Sequence, residues 1–91
     1  MEVNINLATK IGLKESLIIE YINRLQKNQN IFFEGEYWAE ISLLSFQKEF
    51  PFFNETEVRR ILVKLEEKKY IKSFRFNTIR TAKRYRVIKE I

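Results

Sequence analysis

The 91-residue sequence contains no cysteine, no histidine and no aspartate, and it has only two glycines and one proline. Each shortage excludes something. Without cysteine there is no disulfide framework and no thiolate metal site. Without histidine, the commonest general base and the commonest metal ligand are both missing. All twelve acids are therefore glutamates. The pairs Glu55/Glu57 and Glu66-Glu67 could in principle support two-carboxylate chemistry, but one helical pattern already accounts for them. Gly12 and Gly35 are the only glycines, so no phosphate-cradling loop can be written. The chain is not expected to be an enzyme, and no cofactor is implied. Scarce glycine and proline also argue against long disordered loops. No apolar run approaches the ~18 residues of a membrane span. The opening MEVNINLATK lacks a basic region followed by a long apolar run, so no signal peptide is expected. A cytoplasmic location is the expectation.

What is present suffices for one modest core. Hydrophobic residues make up 45% of the chain, with eight phenylalanines, four tyrosines and one tryptophan. We read residues 1–91 as a single domain. The formal net charge is +5, unevenly spread: residues 1–40 hold four Lys or Arg against six Glu, and residues 41–91 hold thirteen against six. Seven basic residues and no acid lie between Lys72 and Lys89. An AT-rich genome would raise lysine, but it would not clear a stretch of acids. A basic C-terminal half points to a polyanionic partner.

Val3, Leu7, Ala8 and Ile11 have helical spacing, predicting a helix near 5–11 that Gly12 ends or bends. Leu13, Leu17, Ile18, Tyr21, Ile22 and Leu25 form one stripe of a helix over 13–28. Its remaining apolar positions, Ile11 and Ile19, offer a homodimer seam as an alternative to core packing. After the polar break Asn28-Gln29-Asn30, a turn at Gly35 and a short strand near 37–40 are expected. Phe32 and Phe33 fit either the core or a partner surface.

Ser42 is an N-cap candidate, with Ile41 and Phe46 at the hydrophobic-staple positions, and its helix should stop before Pro51. The strongest start signal is at Asn54, where Glu57 completes a capping box and Phe53 and Val58 a staple. A helix over 54–68 then buries Val58, Ile61, Leu62 and Leu65, while Thr56, Arg60 and Val63 face away, flanked by Arg59 and Lys64. Strands are expected at 70–76 and 83–89, with Tyr85 and Val87 on one face and Arg84 and Arg86 on the other.

A short helix, a tight turn, a longer basic helix and a basic hairpin together make an α+β winged helix-turn-helix layout. Such a helix suits a major groove, and such a hairpin suits phosphates. The residues expected on double-stranded DNA are Thr56, Arg59, Arg60 and Lys64 on the helix, and Arg75, Arg80, Lys83, Arg84 and Arg86 on the hairpin. Helix-face pairing of Arg59 with Glu55, or of Lys64 with Glu67, is the bland alternative. For Trp38 and the Phe50–Phe53 cluster, core packing is the expectation.

The stretch ATKIGLKESLIIEYINRLQK, then EYWAEISLLSFQKEFPFFNETEVRRILVKLEEKKYI, and the closing AKRYRV resemble one family in order and spacing. The chain is similar to the N-terminal winged-helix domain of phage and plasmid replication-initiation proteins, the DnaD-like replisome organisers of low-GC bacteria. The resemblance runs from about Leu7 to Val87. Its most specific pieces are Trp38, Phe50-Pro51-Phe52, Thr56–Arg60 and Tyr85-Arg86. The chain departs from the family pattern at Ser16, where alanine is usual, and at Lys69, where glycine is frequent. It also departs at Arg80 and Arg84, near where an acid and an aromatic are common. Family members usually carry a further C-terminal region, whereas this sequence ends at Ile91. The resemblance implies DNA or replisome binding, in replication initiation or in transcription control. Use of the domain as a protein-docking module stays open beside it.

Overall fold

A computed structural model of the chain describes residues 12–74 and 82–88. The helix expected near 5–11, the loop beginning at Asn77, and Arg75 and Arg80 lie outside the described residues. Within them the element order is α1 (Leu13–Gln29), β1 (Ile31–Phe33), β2 (Glu36–Ser42), α2 (Leu43–Glu49), α3 (Glu55–Glu67), β3 (Ile71–Phe74) and β4 (Ala82–Val87). The class is α+β: three helices and a four-stranded antiparallel sheet of order β1-β2-β4-β3. Among the described residues, no helix is long and apolar enough to cross a membrane.

Gly12 precedes α1 at φ 104, a conformation that costs glycine little because it has no Cβ. The helix ends at Asn30 in the left-handed region, φ 58 and ψ 38, where asparagine is tolerated better than most residues. Ile18, Ile19, Tyr21 and Ile22 are buried on it. Burial of Ile19 places it in the core and removes it from any dimer seam; Ile11 lies outside the described residues. Ser16 is fully buried, and its hydroxyl donates to the Leu13 carbonyl at 2.8 Å. A small side chain fits there, and the local bond satisfies the one polar group that alanine would lack.

Residues 31–33 form a strand that the sequence pattern does not predict. β1 pairs with β2 through a two-residue turn, Glu34-Gly35, with φ 52 and 79 at the two positions. Two consecutive positive φ values are the mark of the hairpin turn whose twist matches its strands. The second strand extends the expected 37–40 to Glu36–Ser42.

Both interior helix starts follow the capping signals. The Ser42 hydroxyl accepts from the Ser45 N–H, and Ile41 and Phe46 are both buried beneath it. Asn54 Oδ1 accepts from the Glu57 N–H at 2.8 Å, over buried Phe53 and Val58. The expected return bond from Glu57 is replaced: its carboxylate pairs with Lys14 of α1.

The core lies between the helices and one face of the sheet. Phe46 sits at its centre, with its ring edge-on to Tyr21 at 5.5 Å and to Tyr85 at 5.6 Å. Phe50 and Phe53 stack at 5.5 Å beneath the turn, whereas Phe52 is 67% exposed. Trp38 is buried, with its indole N–H donating to the Phe33 carbonyl. Two glutamines of α1 extend the sheet's bonding. Gln29 Oε1 accepts from the Glu40 N–H while its Nε2 donates to the Glu40 carbonyl, and Gln26 Oε1 accepts from the Val87 N–H. A side-chain amide thus supplies the donor and acceptor that a neighbouring strand would otherwise provide.

Candidate nucleic-acid interface

The helix α3 is fixed by its apolar stripe. Val58, Ile61, Leu62 and Leu65 are buried, so residues half a turn away must face solvent. Thr56, Arg59 and Arg60 are exposed, and Val63 is 52% exposed. The two-helix unit α2–α3 is held by the Phe53 N–H to Phe50 carbonyl bond at 3.0 Å across the turn.

The three cations of this helix sit in different environments. Arg59 pairs with Glu55, one turn earlier, at 3.1 Å, with both side chains well exposed. Such a pair is worth only about 0.3–0.5 kcal/mol, so the guanidinium is readily given up to another anion. Lys64 pairs with Glu15 of α1 at 3.1 Å, and that carboxylate is largely enclosed. The Lys64–Glu67 pair, the alternative to DNA contact, does not form among the described residues; α1 lies against that side of α3 and offers Glu15 instead. Arg60 has no hydrogen-bond or ion-pair partner among the described residues.

The hairpin differs more from what the sequence predicts. The register sets Ile71 opposite Val87, Ser73 opposite Tyr85, and Lys72 opposite Arg86. On the other side of β4, Glu40 stands opposite Arg84 and Ile41 opposite Lys83. Residues directly opposite share a face. Tyr85 and Val87 therefore face the core and Arg84 and Arg86 face outward, as the alternation predicts. Lys83, however, shares the face of Ile41 and Tyr85 rather than that of the arginines.

The arginines also have acids beside them, contrary to the sequence expectation. Arg84 Nε lies 3.6 Å from a Glu40 carboxylate oxygen and Arg86 Nε 3.0 Å from a Glu36 carboxylate oxygen; Arg86 also donates to the Tyr37 carbonyl. All four side chains are partly buried. The acids belong to β2, more than forty residues earlier in the chain, and only strand pairing brings them across.

An open depression of about 740 Å³ lies elsewhere, lined by Phe33, Trp38, Glu66, Lys72 and Ile88 among others. Its rim mixes acids and lysines, and the Glu66 carboxylate accepts from the Ser73 hydroxyl. It shares no residue with the exposed stripe of α3.

The chain matches no family model, no curated protein and no solved structure.

Proposed function

We propose that the chain is a winged-helix module that binds double-stranded DNA, with α3 in the major groove and the β3–β4 hairpin beside it on phosphates. The observation that carries this reading is the solvent face of α3, where Thr56, Arg59 and Arg60 are exposed and Arg60 is unpartnered among the described residues. The topology supports it. The strand before the two-helix unit, β2, pairs with β4 of the C-terminal hairpin, so helix and hairpin are anchored to one sheet. The excess of Lys and Arg over Glu in residues 41–91 supports it further. The sequence resemblance suggests replication initiation or transcription control in a phage or plasmid system, in the cytoplasm.

The test is a titration of duplex DNA across a salt series. Affinity should fall steeply with salt, by ~0.9 in log–log slope for each phosphate neutralised. Arg60→Ala should weaken binding to a preferred duplex by about 1–3 kcal/mol while leaving the melting temperature unchanged, because the residue lies opposite the buried stripe. Absence of binding at low salt would reject the reading.

A second reading is a protein-docking module. It is favoured by the pairing of Lys64, Arg84 and Arg86 with glutamates, and by the exposed Phe32–Tyr37 ring pair on the β1–β2 hairpin. A replisome protein or a second copy of the chain would be the partner. Loss of DNA binding together with salt-insensitive association with such a partner would select this reading.

A further inference from the structure

On the exposed side of α3, Thr56, Arg60 and Val63 stand at i, i+4 and i+7, a single stripe one above the other. Arg59 and Lys64 flank that stripe, and each is held by a glutamate, Glu55 and Glu15 respectively. The stripe itself has one guanidinium with no partner among the described residues and one valine more than half exposed. A lone exposed valine needs no explanation by itself. This one, however, shares a line with the unpaired arginine, on the face opposite Val58, Ile61, Leu62 and Leu65.

We infer that this stripe is a base reader for a short sequence containing guanine and thymine, with Arg60 on the guanine edge and Val63 on the thymine methyl. The inference rests on the DNA-binding reading above and adds to it the bases that are read. The chemistry is specific. In the major groove, guanine alone offers two acceptors, O6 and N7, that match a guanidinium fork, and thymine alone offers a methyl group. Charge favours a nucleic acid over an apolar partner at the N-terminal part of the stripe, because Val63 has Arg59 and Arg60 one turn before it rather than further exposed apolar residues of the same helix. The exposed Glu67 one turn after it marks where the stripe ends. The lengths agree as well. The seven residue-to-residue steps of helix from Thr56 to Val63 span about 10 Å, which is about three base-pair steps at 3.4 Å each. Thr56, near the helix start, contributes a hydroxyl and a methyl at the end of the stripe that enters the groove first.

The test begins with selection of preferred sequences from a randomised duplex pool by the full chain. Each thymine of the selected site is then replaced in turn by deoxyuridine, which lacks only the methyl. Each guanine is replaced by 7-deazaguanine, which lacks only the N7 acceptor. Affinities are measured for the wild type, Val63→Ala and Arg60→Ala, and thermal melting confirms that both variants are folded. Removing one thymine methyl should weaken the wild type roughly fourfold and leave Val63→Ala unaffected. Removing one guanine N7 within about three base pairs should weaken the wild type and leave Arg60→Ala unaffected. A deoxyuridine penalty that persists undiminished in Val63→Ala would overturn the inference, as would a selected site without thymine. Steeply salt-dependent binding with no preferred sequence would overturn it while leaving the DNA-binding reading intact. Absence of binding at every salt concentration would overturn both.

Discussion

Lys69 shows how one residue can be locally unfavourable and still be held. It stands at φ 64, just past the Lys68 cap of α3, in the left-handed region that costs a residue with a Cβ about 1–2 kcal/mol. Two bonds require it: the Lys69 N–H donates to the Glu66 carbonyl, and the Tyr70 N–H to the Leu65 carbonyl. That pair of bonds closes a helix end in a Schellman motif, and it explains why glycine suits this position. Lys69→Gly should raise stability by about 1 kcal/mol, read as a higher urea midpoint with an unchanged slope. Tyr21 gives a second residue-scale prediction. Burial raises its pKa above 10.0, the charge of Glu49 raises it further, and Arg24 opposes both. An unfolded tyrosine releases its proton near 10.0, whereas the folded one retains it. Unfolding therefore releases a proton above that pH, and this part of the stability, intact below it, is lost as pH rises through the folded value. Denaturation midpoints should fall above about pH 10 in the wild type and fall less steeply in Tyr21→Phe.

At the scale of the element, local signals account for where helices begin. Ser42 and Asn54 each accept an N–H from three residues on, and each stands over a buried apolar staple. Asn54→Ala should cost about 1 kcal/mol, measured by denaturant unfolding, with the helical signal retained. A loss below the error of the measurement would show that tertiary contacts alone set the start of α3. The β1–β2 hairpin shows the opposite case. Its turn places Glu34, not asparagine or aspartate, at the first positive-φ position. The usual sequence mark of that turn is therefore missing, and β1 is only three residues long. The strand exists because pairing with β2 and the Trp38 bond to the Phe33 carbonyl hold it. The glutamines of α1 belong to the same scale. Gln26 and Gln29 look like members of a solvated helix face, yet each satisfies backbone groups of the sheet.

At the scale of the molecule, the sheet divides the side chains of β4 between two environments. Tyr85 and Val87 close the core, while Arg84 and Arg86 lie on the outer face against Glu40 and Glu36 of β2. Both arginines are more buried than exposed, Arg84 the more so, so a phosphate would have to take the guanidinium groups from the carboxylates that already hold them. If the hairpin positions DNA without reading it, replacing both arginines with alanine should weaken preferred and arbitrary duplexes by similar factors. The salt slope should fall by ~0.9 for each phosphate that is no longer neutralised. An unchanged slope would assign the two arginines to pairing within the sheet alone. Weaker binding of the preferred duplex only would make them readers instead.

The sequence by itself determined the helices α1, α2 and α3, the apolar stripe of α3, both interior caps and the alternation along β4, whereas the stripe expected on α1 holds only in part, since Leu13 is exposed and Ile19 is buried. Each of these depends on residues within a few positions of one another, so spacing and capping chemistry suffice to specify them. The exposed face of α3 was legible for the same reason: burying Val58, Ile61, Leu62 and Leu65 turns Thr56, Arg59, Arg60 and Val63 outward. What only the tertiary structure decided is which charges meet. Lys14 finds Glu57, Lys64 finds Glu15, and Arg84 and Arg86 find Glu40 and Glu36, across separations that no local pattern encodes. Register decided that Lys83 shares a face with Ile41, and packing decided that Ile19 is buried. An ion pair depends on where two elements come to rest against each other. The apolar core sets that position, and the charged side chains then pair with whichever acids it brings near.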